Sequence, residues 1–319
     1  HSAPEGDMGA YLNASSVFED FINTEIAACD LMQAHFRSPK KMMISFDEYG
    51  CNFSPQKQTT IGRCGAIDRS AYPEFSSHIS RPFRFNDPDA AEPSAPGEFL
   101  EAFKAHAARG EAVLGVIFSS ALSGTFDAAN MAREMTLEEY PDAVIELVDT
   151  LGASAGEGLI VYDALMNREN GMSIAENAAF LREHVQTYAQ WFTVDDLHFL
   201  KRGGRCSPSA AFFGSMLKIK PVLHVDAQGR LIARSKTRGR HQALKALADK
   251  FGELGAAPDQ MIFISHGDCL EDAQTVKDML VKTYGCDPQK IVLSVIGPVI
   301  GSHSGPGTVA LFFRGRDRG

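Results

Sequence analysis

Ala112-Val-Leu-Gly-Val-Ile-Phe118 runs into Ser119-Ser-Ala-Leu-Ser-Gly-Thr125, and a helical pattern then holds from Phe126 to Glu139. The first segment is a short, unbroken apolar run, the mark of a strand covered on both faces. Serine and glycine supply the turn. A second strand pattern, Val144–Val148, follows the helix. Strand, helix and strand in that order imply parallel pairing through a right-handed crossover.

The same alternation extends outward. Upstream, Glu98–Arg109 reads as a helix. Downstream come helices over Gly156–Glu169 and Ile174–Tyr188, then a strand at Gln190–Val194. The second half changes character. Lys220–Val225 and Arg230–Ser235 flank Asp226-Ala-Gln-Gly229, a hairpin signal with glycine at the turn. Gln242–Leu254 and Leu270–Thr283 read as helices, and Met261–Ser265, Ile291–Val295 and Thr308–Phe313 as strands. The expected architecture is α/β in two domains. A helical N-terminal extension covers 1–38, with apolar positions from Val17 to Met32 and a cap at Ser15 or Ser16. An α/β domain with a parallel sheet covers 39–165, and an α+β domain covers 166–319. Residues 54–96 show little regular pattern.

Composition narrows the function classes. The 319 residues carry a net charge of −9, but Lys201–Lys245 holds eleven Lys or Arg and one acid, Asp226. That window is +10, which leaves −19 for the remainder. Overall acidity speaks against nucleic-acid binding, whereas the basic block suits an acidic or anionic partner on one face. The cysteines at 29, 51, 64, 206, 269 and 286 show no C-x-x-C or zinc-like spacing. They fit small thiols in a reducing compartment, so a cytoplasmic location is expected. No secretory signal or membrane-spanning run is visible. No metal and no cofactor are expected.

Four segments have the residue types for chemistry. In Phe118–Thr125, hydroxyls and free N–H groups at a helix start suit a carboxylate or phosphate. The plain alternative is N-capping by Ser123 or Thr125. In Ile296-Gly-Pro-Val-Ile-Gly-Ser-His-Ser-Gly-Pro-Gly307, glycines and prolines hold His303 between two hydroxyls. Its imidazole can donate to a carboxylate, or it can merely satisfy a turn. Leu200-Lys-Arg-Gly-Gly-Arg-Cys206 is a basic glycine turn, for an anion or for solvent. Arg234-Ser-Lys-Thr-Arg-Gly-Arg240 offers planar guanidinium forks or a solvated charge run. Ser123, His303 and Asp149 also supply the types of a hydrolase triad, for a lipid esterase or acyltransferase. However, Gly301-Ser-His-Ser-Gly305 puts histidine where a nucleophile elbow needs serine. No dinucleotide fingerprint or Walker motif occurs, and His266 in Ser265-His-Gly-Asp268 reads as a strand-end histidine.

Taken in order, F-S-S-A-L-S-G-T-F, L-V-D-T-L-G-A-S-A-G-E-G-L, L-K-R-G-G-R-C-S, G-S-M-L-K-I-K-P-V-L, S-K-T-R-G-R-H-Q-A-L and I-G-P-V-I-G-S-H-S-G-P-G resemble the DegV family. The resemblance runs from about Glu92 to the end. It implies two α/β domains with a fatty acid between them, the acyl chain buried and the carboxylate bound. Some members, the FakB proteins, present that carboxylate to a kinase that makes acyl phosphate. On this basis the chain is a monomeric carrier without catalytic residues of its own. Ser123, with Ser120 and Gly124 beside it, holds the carboxylate, and His303 lies near it. Arg238, with Arg240 and Arg205, forms the face for the kinase or the reacting carboxylate. The sequence departs from the family at Ala90-Ala-Glu-Pro-Ser94, where a carboxylate-binding threonine is usual. It departs again at Ser45-Phe-Asp-Glu-Tyr49, where a D-S-T strand end is usual.

Overall fold

A computed structural model describes residues 96–206 and 219–319. The expected helical extension over 1–38, the first domain's beginning at 39, Ser45–Tyr49 and Ala90–Ser94 lie outside the described residues. α1 (Pro96–Ala107) leads into β1 (Val113–Ile117), α2 (Thr125–Glu139) and β2 (Ile145–Asp149). β1 and β2 pair in parallel, with Val113 opposite Ile145 and Ile117 opposite Asp149. All five β1 residues are buried, as the unbroken apolar run requires.

α3 (Ala155–Glu169) and α4 (Ile174–His184) follow. α4 starts in a capping box: Ser173 Oγ accepts from the Glu176 N–H, and the Glu176 carboxylate accepts from the Ser173 N–H. The helix expected to reach Tyr188 stops at His184, because a 3₁₀ turn at Val185–Thr187 hands the chain to β3 (Tyr188–Thr193). Tyr188 is therefore the first strand residue. Its hydroxyl donates to Asp163 Oδ2 at 2.5 Å, and Arg314 Nε meets the same oxygen at 2.6 Å. Then come α5 (Leu197–Arg202), β4 (Ile219–Val225), β5 (Leu231–Arg238), α6 (Arg240–Leu254) and β6 (Ile262–His266). α7 (Leu270–Tyr284), β7 (Ile291–Val295), α8 (Pro298–Ser304) and β8 (Val309–Arg314) complete the order.

Among the described residues, the second sheet has six strands in the order β5-β4-β3-β8-β6-β7. Only β6 and β7 pair in parallel; the other pairs are antiparallel. Side-chain alternation divides its strands between two cores. Tyr188, Phe192, Phe263, Ala310 and Phe312 face α3 and α4, whereas Ala189, Trp191, Ile262, Leu311 and Phe313 face α6 and α7. The first core also takes in Leu114, Val116 and Val148 of the small sheet. The far face of that sheet packs Val113, Ile117, Ile145 and Leu147 on α1 and α2. α3 and α4 thus form a shared layer between two sheets, and residue 165 lies within α3. The close approach of α3 to the large sheet depends on glycine: a Cβ on Gly156 would stand 2.5 Å from Gln190 Oε1 and 2.7 Å from Phe312 Cδ1. The described residues form a mixed α/β fold with two sheet regions.

Candidate functional site

The turn between β1 and α2 is built on Ser119. Its carbonyl accepts from the N–H groups of Leu122 at 3.0 Å and Ser123 at 3.2 Å. Its hydroxyl oxygen accepts from the Ala121 N–H at 3.3 Å. α2 then begins at Thr125 with Gly124 in the N-cap position and no side-chain cap. Neither Ser123 nor Thr125 stands in the N-cap position, and their hydroxyls pair with each other at 3.1 Å. The first turn of α2 therefore keeps backbone donors that no side-chain cap uses, at the positive end of a fifteen-residue helix. Ser120 and Gly124 are exposed, and Ser123 is half-buried.

His303 reaches the same region from the other end of the chain. The Gly-Pro segment that carries it is not a loop throughout. Residues 298–304 form the short helix α8, with Pro298 in its first turn, where a missing N–H costs nothing. Gly305 and Gly307, both at positive φ, end it. α8 packs on α5, which occupies part of the stretch expected to be only a basic turn. A Cβ on Gly203 would lie inside contact distance of His303 Nδ1, and one on Gly305 would stand 2.6 Å from the Phe199 ring. The link to the Ser119–Thr125 turn is Arg205. Its Nε donates to the Leu122 carbonyl at 3.2 Å and its Nη1 to the Gly203 carbonyl at 2.8 Å. Burial, and then the Arg205 charge, hold the His303 imidazole below its ordinary range, so it is neutral at pH 7. Three segments far apart in sequence thus converge: the β1–α2 turn, the end of α5 and α8. Arg205, expected on the partner face, spans them and is bound to two carbonyls.

The other basic residues separate. Arg238 is exposed at the end of β5, opposite Ile219. Arg240 is half-buried and locked to Asp272 Oδ2 at 2.7 Å, with Asp195 Oδ1 at 3.3 Å. Lys220 shares Asp195 at 2.8 Å. Arg240 therefore joins the start of α6 to α7 and the end of β3. Asp149, the acid considered for a triad, accepts at Oδ1 from the Ser120 N–H at 3.2 Å and the Leu151 N–H at 2.9 Å, and so shapes the turns above both parallel strands. His266 ends β6, and its Nδ1 accepts from the Cys269 N–H at 3.3 Å. Burial pushes the thiols of Cys206 and Cys286 up to about 11 and that of Cys269 up to about 12, which leaves them protonated at neutral pH. Among the described residues, no cluster of His, Cys, Asp and Glu could hold a metal ion, and no helix is long and apolar enough to cross a membrane.

Sequence reading missed the contacts that support this turn and the neighbouring turn after β2 from outside. Ser119 Oγ donates to the Gly229 carbonyl at 2.9 Å, across 110 residues. Buried Arg318 donates to the carbonyls of Thr150, Leu151, Val185 and Asp226. Gly229 was legible as a hairpin turn, but not as a contact of the β1–α2 turn.

The family model described as "Uncharacterised protein, DegV family" matches residues 86–316. A DegV domain-containing protein of Clostridium perfringens is 46% identical over 219 residues, covering 68% of this chain and 74% of that one. A fatty-acid-binding DegV family protein of Thermus thermophilus superposes with a TM-score of 0.62 at 29% identity, covering 69% of this chain and 76% of that one. The Streptococcus pneumoniae fatty acid kinase (Fak) B3 protein, loaded with linoleic acid, superposes with a TM-score of 0.61 at 20% identity over 69% and 76% of the two chains, a likeness of fold. Over most of its length, in sequence and in fold, the chain belongs to the DegV family.

Proposed function

We propose that this chain is a fatty-acid carrier that buries the acyl tail of one ligand and presents its carboxylate to a partner fatty-acid kinase. The convergence of the β1–α2 turn and α8 at Arg205 carries the reading. In it, Ser123, with Ser120, Gly124 and the first N–H groups of α2, receives the carboxylate, and His303 donates a hydrogen bond from a neutral ring. Tail and head contribute differently. Each methylene removed from water is worth about 0.8 kcal/mol, so the tail supplies most of the affinity. The head group must find donors, since a buried unpaired carboxylate is costly. The fatty-acid-binding relative from Thermus thermophilus supports the ligand class. The kinase is suggested by the motif resemblance, by the name of the pneumococcal protein and by the +10 block, in which Arg238 stands exposed. The hydrolase alternative is weakened by Asp149, whose carboxylate serves two backbone amides.

Native mass spectrometry of protein purified from cells is expected to show one co-purified fatty acid. Ser123→Ala and His303→Ala are each expected to weaken its binding by roughly tenfold, the worth of one hydrogen bond to a charged group. Arg238→Ala is expected to slow acyl phosphate formation by an added fatty-acid kinase. Fatty-acid affinity untouched by both head-group variants would remove the site assignment, and ester turnover lost in Ser123→Ala would favour the hydrolase.

A further inference from the structure

We propose that Ser119 is a positioning residue for the carboxylate site, and that through it the tip of the β4–β5 hairpin sets the geometry of the turn that receives the head group. The inference rests on the fatty-acid reading and adds a control element to it. Ser119 is fully buried, and each of its polar groups is engaged. Its N–H donates to the Gly152 carbonyl at 2.9 Å, which ties the turn after β1 to the turn after β2. Its carbonyl holds the Leu122 and Ser123 N–H groups, and its oxygen Oγ holds the Ala121 N–H. A serine that only stabilised its own turn would need no more than that acceptor role. Here the hydroxyl proton goes elsewhere, to the Gly229 carbonyl on the second sheet's hairpin.

The hairpin side of this contact is equally constrained. Gly229 is buried at φ +77, with Ser119 Oγ directly where a Cβ would project and Leu151 Cα 3.1 Å from that point. Asp226 Oδ1 accepts from the Gln228 and Arg230 N–H groups, and Gln186 Nε2 donates to the Ala227 carbonyl at 3.0 Å, so the tip is firm. Ala227 and Gln228 are exposed, while the next residue touches Ser119. A displacement of the tip therefore passes to Ser119, and from its carbonyl to the Ser123 backbone, which is one hydrogen bond further on.

The test separates head from tail. Palmitate and 1-hexadecanol share a chain length, and only palmitate carries the carboxylate. Each is titrated by displacement of a fluorescent fatty-acid analogue from the wild type, Ser119→Ala, Gly229→Ala, the double variant and Ser123→Ala. Ser119→Ala is expected to weaken palmitate about tenfold and hexadecanol less than about twofold. Gly229→Ala is expected to show the same selectivity, and the double variant no more loss than the worse single one, because both break one contact. Gly229→Ala carries the test should Ser119→Ala fail to fold. Equal losses for both ligands mean general loosening and overturn the proposal. Unchanged palmitate affinity in both single variants, with Ser123→Ala weakened, overturns the link and leaves the head-group assignment standing. Unchanged palmitate affinity in Ser123→Ala removes that assignment, and this proposal with it.

Discussion

His224 combines burial with an unmet hydrogen bond. Only 3% of it is exposed, its ring lies 4.8 Å from Trp191, and Nδ1 has no partner among the described residues. Burial, and then the Arg234 charge, pull its pKa from 6.5 down to about 4. The unfolded chain binds this proton near 6.5 and the folded chain only near 4, so between those values the unfolded state holds more protons. The stability due to the neutral ring is complete above pH 6.5 and is lost as the pH falls towards 4. The full shift corresponds to a loss on the order of 3 kcal/mol. Urea midpoints at pH 7 and pH 4.5 should fall more steeply for the wild type than for His224→Phe. Equal slopes would mean that another group dominates, and His266 and His303, shifted downward by burial in the same sense, are the next to replace.

At the level of elements, the sequence was most readable where apolar residues run without interruption or alternate strictly. β1 is an unbroken apolar run, and β2 and β6 are largely apolar, with Glu146 inside the one and Ser265-His266 closing the other. α5 and α8 were harder. The first has six residues and closes on Gly203-Gly204, so no full amphipathic period develops. The second opens on proline and includes glycine, both of which ordinarily argue for a loop. Each is held by the other. That pairing lies about a hundred positions apart along the chain, and no local pattern encodes it. The candidate site was legible as residue types in Ser123 and His303. What joins them, Arg205 on Leu122 and Gly203 beneath the imidazole, was visible only in three dimensions. Gly203→Ala should push His303 aside and weaken fatty-acid binding by roughly tenfold, comparable to losing its hydrogen bond outright. The NMR shifts of the imidazole carbons would record the displacement. Unmoved shifts would mean that α8 yields as a body.

Across the whole molecule, the two sheets are joined by a shared helical layer and by a few polar contacts at its rim. Arg318 is the most concentrated of these. It is 3% exposed, and burial lowers its pKa to about 10, yet it remains charged at neutral pH. Its guanidinium gathers carbonyls from the turn after β2, the approach to β3 and the β4–β5 hairpin. Arg318→Met keeps much of the volume and leaves those carbonyls without a donor, at a cost of about 3 kcal/mol or more. A fall in thermal midpoint of several degrees is expected. An unchanged midpoint would mean that water takes over the carbonyls.

The chain has a single tryptophan, Trp191, in the middle strand region of the large sheet. Its indole N–H donates to the Arg318 carbonyl at 3.1 Å, and Lys250 Nζ lies 4.6 Å from the ring centroid. Indole emission is therefore a local optical gauge. It registers melting of the large sheet and the acid titration of the neighbouring imidazole, and it is dark to events confined to the small parallel pair.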